Sequence, residues 1–349
     1  MMRFGAGLAV ELLEAPEAVR RQAYSLESPL AALIARLVRR APDVVVTCAR
    51  GSSAHAATFA KHLIERHLGI PVAAAAPNIA TIYRRRLRLK DQLFLAVSQS
   101  GVSDDLVEAT IMARTAGALT AALVNDPESP LASACEIILP MTAGSELSVA
   151  ATKTFVASLA ALLRMTALWT GDDAVAHSCD RLPERLAHAA ELDWTEALRP
   201  LASASSLVAI GRGPTLAIAR EAALKLKETC ALHAEAFSSA EFRHGPIALV
   251  SSTYPVMIFP PTDESAAGMS GLVADLRRKG ACVLLAGAGG TEKNKRKEAG
   301  RLPALAPEQA EADAICLIQT FYAFLVRLAE RRGTDIDSPA HLQKVTRTR

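Results

Sequence analysis

Aromatic residues make up only 4% of this 349-residue chain. That scarcity argues against base-stacking platforms. With a formal net charge of only +3, it also removes nucleic acid as the default partner. The six cysteines (Cys48, Cys135, Cys179, Cys230, Cys282 and Cys316) are scattered and form no CxxC pair. A disulfide framework or a zinc site is therefore not expected, and reduced, buried thiols of a cytoplasmic protein are. No GxxxxGK[ST] occurs, which argues against a P-loop, and the first strand-to-helix turn is not GxGxxG. Long apolar runs are missing too. The most apolar stretch, Phe155 to Trp169, is interrupted by Arg164 and is too short to span a bilayer. The N-terminus meets Glu11 and Glu14 early and has no signal-peptide core.

What the chain does have is length and hydrophobic content, 50% by composition, enough for two domains of ordinary size. Short β-rich runs alternate with Ala/Leu-rich helical stretches. Val44–Cys48, Leu93–Val97, Leu119–Val124 and Ile137–Leu139 read as strands. Helices are expected over about Ala54–His67, from about Asp104, and over Thr152–Leu168. This alternation predicts an α/β fold, with mostly parallel sheet covered on both faces. The second half repeats the first. VVVTCARGSSAHAATFAKHLIE aligns with SLVAIGRGPTLAIAREAALKLKE, bringing Arg50-Gly51 onto Arg212-Gly213. Further strands are expected at Val256–Phe259 and Cys282–Ala286, with a helix near Ser265–Lys279 between them. A helical region from about Asp172 to Leu201 joins the halves, and a helix over Pro307–Arg332 closes the second. The basic run Thr291–Arg301 reads as a solvated loop.

The segment 221–246, EAALKLKETCALHAEAFSSAEFRHGP, concentrates acid/base chemistry. Glu221, Lys225 and Glu228 at i, i+4 and i+7 share one helical face. Such spacing also fits an ordinary exposed ion pair. The apolar neighbours Ala222, Ala223, Leu224, Leu226 and Ala231 favour a buried helix with a charged stripe, facing a pocket or a neighbouring subunit. His233, Glu235, Glu241 and His244 follow, and His244 falls on a turn before Gly245-Pro246. Histidine suits proton transfer at neutral pH, although an exposed turn histidine is commonly idle.

The stretch Ser98-Gln99-Ser100-Gly101-Val102-Ser103 follows a buried strand and opens a helix. Small hydroxyl residues at a helix N-terminus suit an anion, and they also suit plain N-capping. The same design recurs at Gly51-Ser52-Ser53. Two such loops at adjacent strand ends would face one crevice, which favours a phosphate site. His55 and His62 share a helical face without a third ligand in view, so they read as packing or surface residues rather than metal ligands.

Taken together, GSS, SQSG, ELSVAATKTF at 146–155, EAALKLKETCALHAEAF, EFRHGP and a C-terminal HLQKV resemble the sugar isomerase (SIS) domain family. That family includes the isomerase half of glucosamine-6-phosphate synthase and stand-alone deaminases. The resemblance covers nearly the whole chain as two tandem SIS domains, each a three-layer α/β/α sandwich of flavodoxin-like kind. It implies an N-terminal helical segment 1–40, a sugar-phosphate-binding domain 41–172 and a helical linker 173–200. A domain 201–332 with the catalytic helix follows, and then a tail 333–349 that closes the site.

By the same resemblance Ser52, Ser53, Ser98, Gln99 and Ser100 hold a sugar 6-phosphate, Ser103 keeps a hydroxyl there, and Val149 and Ala150 line the sugar. Glu228 matches the base that moves a proton between C1 and C2, tuned by Glu221 and Lys225. His244 matches a ring-opening histidine lent by the partner of a homodimer, and Lys344 matches a lysine reaching the open-chain carbonyl. Synthases carry a glutaminase domain for which a chain beginning Met1-Met2-Arg3 has no room. The resemblance therefore implies the reverse direction, glucosamine 6-phosphate to fructose 6-phosphate with release of ammonia. No metal or organic cofactor, nucleic acid or membrane is expected to take part. Val102 replaces an acid of the synthases, which keeps open another phosphosugar aldose/ketose isomerase or a fructosamine-phosphate deglycase. A phosphosugar-sensing regulator is the alternative outside enzymology.

Overall fold

Ten strands in two all-parallel sheets carry the chain, as seen in a computed structural model that describes residues 7–288 and 300–344. The first sheet comprises β1 (Val45–Ala49), β2 (Val72–Ala74), β3 (Leu93–Ser98), β4 (Leu119–Val124) and β5 (Ile137–Pro140). Its order is β2-β1-β3-β4-β5. Every residue of β3 is buried, as expected of a strand covered on both faces. Phe94, Ala96, Leu106, Ala122, Val124 and Leu131 form its core.

The second sheet comprises β6 (Ser206–Gly211), β7 (His233–Ser238), β8 (Pro255–Ile258), β9 (Cys282–Ala288) and β10 (Arg301–Ala304). Its order, β10-β9-β8-β6-β7, is the first sheet's order over again once its strands are counted from β6. Both follow the flavodoxin-like pattern. Val208, Ile210, Phe242, Val256, Ile258 and Leu272 form this core.

The chain divides into two compact units. One holds Glu14–Glu146 and Lys153–Asp180 with the chain from Gln343, and so contains the first sheet. The other holds Leu147–Thr152 and Arg181–Leu342 with the chain up to Leu13, and contains the second sheet. In the first unit the helix Lys153–Thr170 is nearly all buried. In the second, the helix Ala310–Arg332 is long and apolar enough to cross a membrane, but 83% of its apolar window is buried within the protein. It is a core helix. Gln309 caps its start by accepting from the Ala312 N–H at 2.8 Å. Arg332 ties its end down by donating to the carbonyls of Cys230 at 2.7 Å and Leu201 at 2.8 Å.

Several expectations need correction. The first crossover helix spans Gly51–Leu68, so Ser52 and Ser53 lie in its first turn rather than in a preceding loop. Gly51 takes a left-handed φ of +54°, which glycine allows, and so lets the helix begin directly at the strand end. Residues His233–Ser238 form an edge strand that the sequence reading left unassigned. The last long helix starts at Ala310, with Pro307 outside it. Most of the basic run Thr291–Arg301 lies outside the described residues; its final residue, Arg301, opens β10 and is not in a solvated loop.

Candidate active site

In the first unit, β1 and β3 are hydrogen-bonded neighbours with Ala49 opposite Val97. Connections leave this pair in opposite directions, since β2 lies on one side and β4 on the other. Open α/β sheets bind ligands at the carboxyl ends of the strands at such a switch point. From β1 the chain enters its helix directly. Arg50 is extended at the N-cap (φ −134°, ψ 157°) and Gly51 is left-handed at φ +54°. Ser52 and Ser53 therefore sit in the first turn, at the helix's positive dipole end.

From β3 the chain makes a tight loop. Ser98 is buried at the strand end, and its hydroxyl accepts from the Gly101 N–H at 3.1 Å. Gly101 has φ +65°, and a Cβ there would lie 2.1 Å from the Ser129 hydroxyl oxygen. Only glycine fits, and the loop is fixed by that fit. Gln99 and Ser100 are half-buried at its tip. Ser103 occupies the N-cap of the helix Asp104–Thr115 but makes no side-chain capping bond. The competing explanation for that serine, plain N-capping, is thus not realised.

A contact the sequence reading missed joins the two helix starts. Arg50 donates from Nε at 3.1 Å and Nη2 at 2.8 Å to one oxygen of Asp105, which is only 2% exposed. The partners are 55 residues apart, so no local spacing could have shown it.

Lys344 belongs to the same unit. Its Nζ lies 3.3 Å from Oε2 of Glu146, whose side chain is fully buried. Glu146 also accepts from the Thr154 N–H at 3.2 Å and the Thr154 hydroxyl at 2.6 Å. Glu146 stands in the quoted 146–155 motif, but spacing gave it no role.

The second unit carries the charged stripe on the helix Thr215–Cys230. Lys225 Nζ lies 2.6 Å from Glu228 Oε2 and 3.4 Å from Glu221 Oε1. The side chains of Glu221 and Lys225 are 0% and 1% exposed, while that of Glu228 is 22% exposed. The Tyr322 hydroxyl, from the helix Ala310–Arg332, donates to Glu221 at 3.2 Å. The exposed-pair reading is excluded. Buried charges are costly unless paired and hydrogen-bonded, and these are both. Of the two acids, only Glu228 reaches solvent, and it does so with a cation behind it.

His244 is exposed between two short 3-10 turns, Glu241–Arg243 and Pro246–Leu249. Phe242 is buried beneath that turn, and Arg243 pairs with Asp275 at 2.9 Å. His233 and Glu235 are exposed on the edge strand, and Glu241 is exposed as well. Val149 is half-buried and Ala150 buried, on a segment held by acids. The Ser148 N–H donates to Glu11 at 3.3 Å, its hydroxyl donates to Asp337 at 3.3 Å, and the Val149 N–H reaches the Asp337 carbonyl at 3.4 Å.

All six cysteines are unpaired, and all but Cys282 are buried. Burial pushes the thiols of Cys48, Cys135, Cys179 and Cys316 up to about 12. They are inert packing groups at neutral pH. Among the described residues no cluster of three or more His, Cys, Asp or Glu could hold a metal, and His55 and His62 are half-buried along their helix.

Two parallel five-stranded units share one topology, one with a serine-lined switch point and one with a largely buried acid–lysine–acid stripe. The SIS domain pattern matches residues 40–167 and 200–312, and the chain belongs to the SIS domain family. It is 34% identical over 323 residues to the glutamine–fructose-6-phosphate aminotransferase [isomerizing] of Symbiobacterium thermophilum, covering 87% of this chain and 52% of that protein. The chain spans about half the length of the curated relatives it matches. A provisionally assigned phosphosugar isomerase from Silicibacter pomeroyi DSS-3 superposes with a TM-score of 0.88 at 42% identity, covering 95% of this chain and 99% of that one. The C-terminal domain of glucosamine-fructose-6-phosphate aminotransferase from Francisella tularensis shares the fold, with a TM-score of 0.83 at 23% identity over 97% and 100% of the two chains.

Proposed function

We propose that this chain is a phosphosugar isomerase acting on amino-sugar phosphates, converting glucosamine 6-phosphate and water to fructose 6-phosphate and ammonia. The carrying observation is the Glu221–Lys225–Glu228 stripe, with one carboxylate accessible and the rest sealed. Ser53, Ser100 and Ser103, with Ser52, Ser98 and Gln99, take the phosphate through hydroxyls and helix-start amides. His244, from a second copy of the chain, protonates the ring oxygen as the pyranose opens. Glu228 then removes the C2 proton of the open-chain aldehyde and returns it to C1. This step turns the C2 amine into a ketimine. Water adds to the ketimine and ammonia leaves, with Lys344 at the carbonyl end and Val149 and Ala150 against the sugar. The C2 proton is labile because it lies alpha to a carbonyl, so the chain's own groups suffice for this step.

The isomerising aminotransferase among the relatives supports an amino-sugar substrate. Val102, half-buried where the synthases carry an acid, favours a second reading in which a fructosamine phosphate or another amino-sugar phosphate is the substrate. The test is ammonia release from glucosamine, galactosamine and fructosamine 6-phosphates by wild type and Glu228→Gln. The expected result is release from the first, falling on the order of 10²–10⁴-fold in the variant, the usual worth of a general base. Release at the wild-type rate by the variant would sink the assignment of the base.

A further inference from the structure

We propose that Glu146 is the positioning residue for Lys344. Its carboxylate is anchored by the start of one helix and in turn fixes the tail lysine in space. The proposal rests on the role given to Lys344 above and adds the group that makes that role geometrically possible.

Glu146 has a side chain with no exposure at all, and a carboxylate buried that deeply must be paired to be tolerated. Two of its donors are local. The Thr154 N–H reaches Oε1 at 3.2 Å, and the Thr154 hydroxyl reaches Oε2 at 2.6 Å. Both come from the first turn of the helix Lys153–Thr170, where the dipole favours an anion. These bonds hold the carboxylate rigidly. A further donor is Lys344 Nζ, 198 residues away in sequence, at 3.3 Å from Oε2.

Lys344 has no regular structure of its own to hold it. Residues 334–344 form neither helix nor strand, and His341, Leu342 and Gln343 beside it are exposed. A lysine on such a tail carries about 2 kcal/mol of rotamer entropy, which the contact with Glu146 helps to offset. Its side chain is nevertheless only 24% exposed. The helix start orders Glu146, and Glu146 orders Lys344. Thr154 is the second support, because its hydroxyl closes the same oxygen that Lys344 contacts.

The test is a double-mutant cycle in the full chain using Glu146→Gln and Lys344→Met, with Thr154→Val as a variant that loosens the carboxylate while keeping its charge. A misplaced catalytic group can cost on the order of 10²-fold, so Glu146→Gln is expected to lower kcat by about that much with KM within about twofold. On the Lys344→Met background the same substitution is expected to cost nothing further, because the two act as one unit. A purely structural role for Glu146 gives additive losses instead, and additive losses overturn the proposal.

Hydrogen exchange of the backbone amides at 340–344 gives a readout independent of turnover. Faster exchange at these amides in Glu146→Gln and Thr154→Val, beyond any change at the core amides of β3, is expected. Unchanged exchange in both variants overturns the clamp, whatever the kinetics show. If wild type turns over none of the sugar phosphates, the isomerase reading fails on its own, and the exchange measurement still decides whether Glu146 holds the tail.

Discussion

The two sheets of this protein have one topology and opposite fates at the same place. In both, the first strand runs into Arg-Gly with a left-handed glycine, Gly51 at φ +54° and Gly213 at φ +53°. After β1 come Ser52 and Ser53, and after β3 comes the loop Ser98-Gln99-Ser100-Gly101. At the matching positions the second sheet has Pro214-Thr215 and Phe259-Pro260-Pro261. The Thr215 hydroxyl donates to the Phe259 carbonyl at 2.6 Å and accepts from the Arg212 N–H at 3.0 Å. Gly211 packs so closely there that a Cβ would lie 2.2 Å from the Thr215 carbonyl oxygen. Pro260 and Pro261 have no N–H to offer. At the second switch point the one hydroxyl is taken up by backbone hydrogen bonds, whereas the first keeps several small hydroxyl residues at its mouth. The topology allows an anion site at both places. The residues after the first and third strands distinguish the two.

The largest effect that would break this contrast is in the charged stripe. Lys225→Met leaves the buried Glu221 and the partly exposed Glu228 without their shared cation. Removing one member of a buried ionic group costs about 3–5 kcal/mol, and urea unfolding should show a loss of that size. A loss below about 0.5 kcal/mol, the surface ion-pair range, would mean that the stripe is not sealed in solution.

A smaller effect separates the two switch points directly. A hydrogen bond to a charged group is worth about 1.5–3 kcal/mol, so Ser100→Ala should weaken binding of a sugar phosphate by about tenfold or more in calorimetry. Thr215→Val, at the second switch point, should leave that affinity unchanged and instead cost about 1–3 kcal/mol of stability by orphaning its partners. Equal effects of both variants on phosphate affinity would erase the distinction drawn here.

The smallest effect concerns the thiols. Burial holds Cys48, on β1, and Cys316, in the last helix, at about 12, above the ordinary thiol value of 9.0. Because the folded values are raised, keeping these thiols protonated favours the folded chain. That contribution is complete below about pH 9 and declines as pH rises toward 12. Cys282 opens β9 and is only half-buried, its thiol raised by that burial. Iodoacetamide at pH 8 should therefore label Cys282 first and leave the other five protected until the chain unfolds, a result that peptide mass mapping would check.

Much of the architecture was legible because it rests on continuous apolar runs. Leu119–Val124 was placed to the residue, and β1, β3, β5, β8 and β9 fell within a residue or two. The elements that escaped are short or at sheet edges. Val72–Ala74 has three residues, and Arg301–Ala304 carries Pro303 inside an edge strand. His233–Ser238 buries Ala234 while exposing His233 and Glu235, a half-polar alternation that reads as loop beside the stronger signals around it. Such strands depend on what pairs with them, which local sequence does not encode.

The sequence by itself determined the paired α/β units, the serine-rich strand ends of the first and the spacing of Glu221, Lys225 and Glu228. These follow from period, chain order and residue type, all of which are local properties. Whether that spacing was an exposed ion pair or a sealed stripe was not local. Tyr322, 101 residues away, donates to Glu221 and helps remove it from water. Arg50 with Asp105 and Glu146 with Lys344 are likewise meetings of distant segments. Burial and long-range hydrogen bonds exist only after the chain has packed, and they turn a list of polar residues into an ordered site.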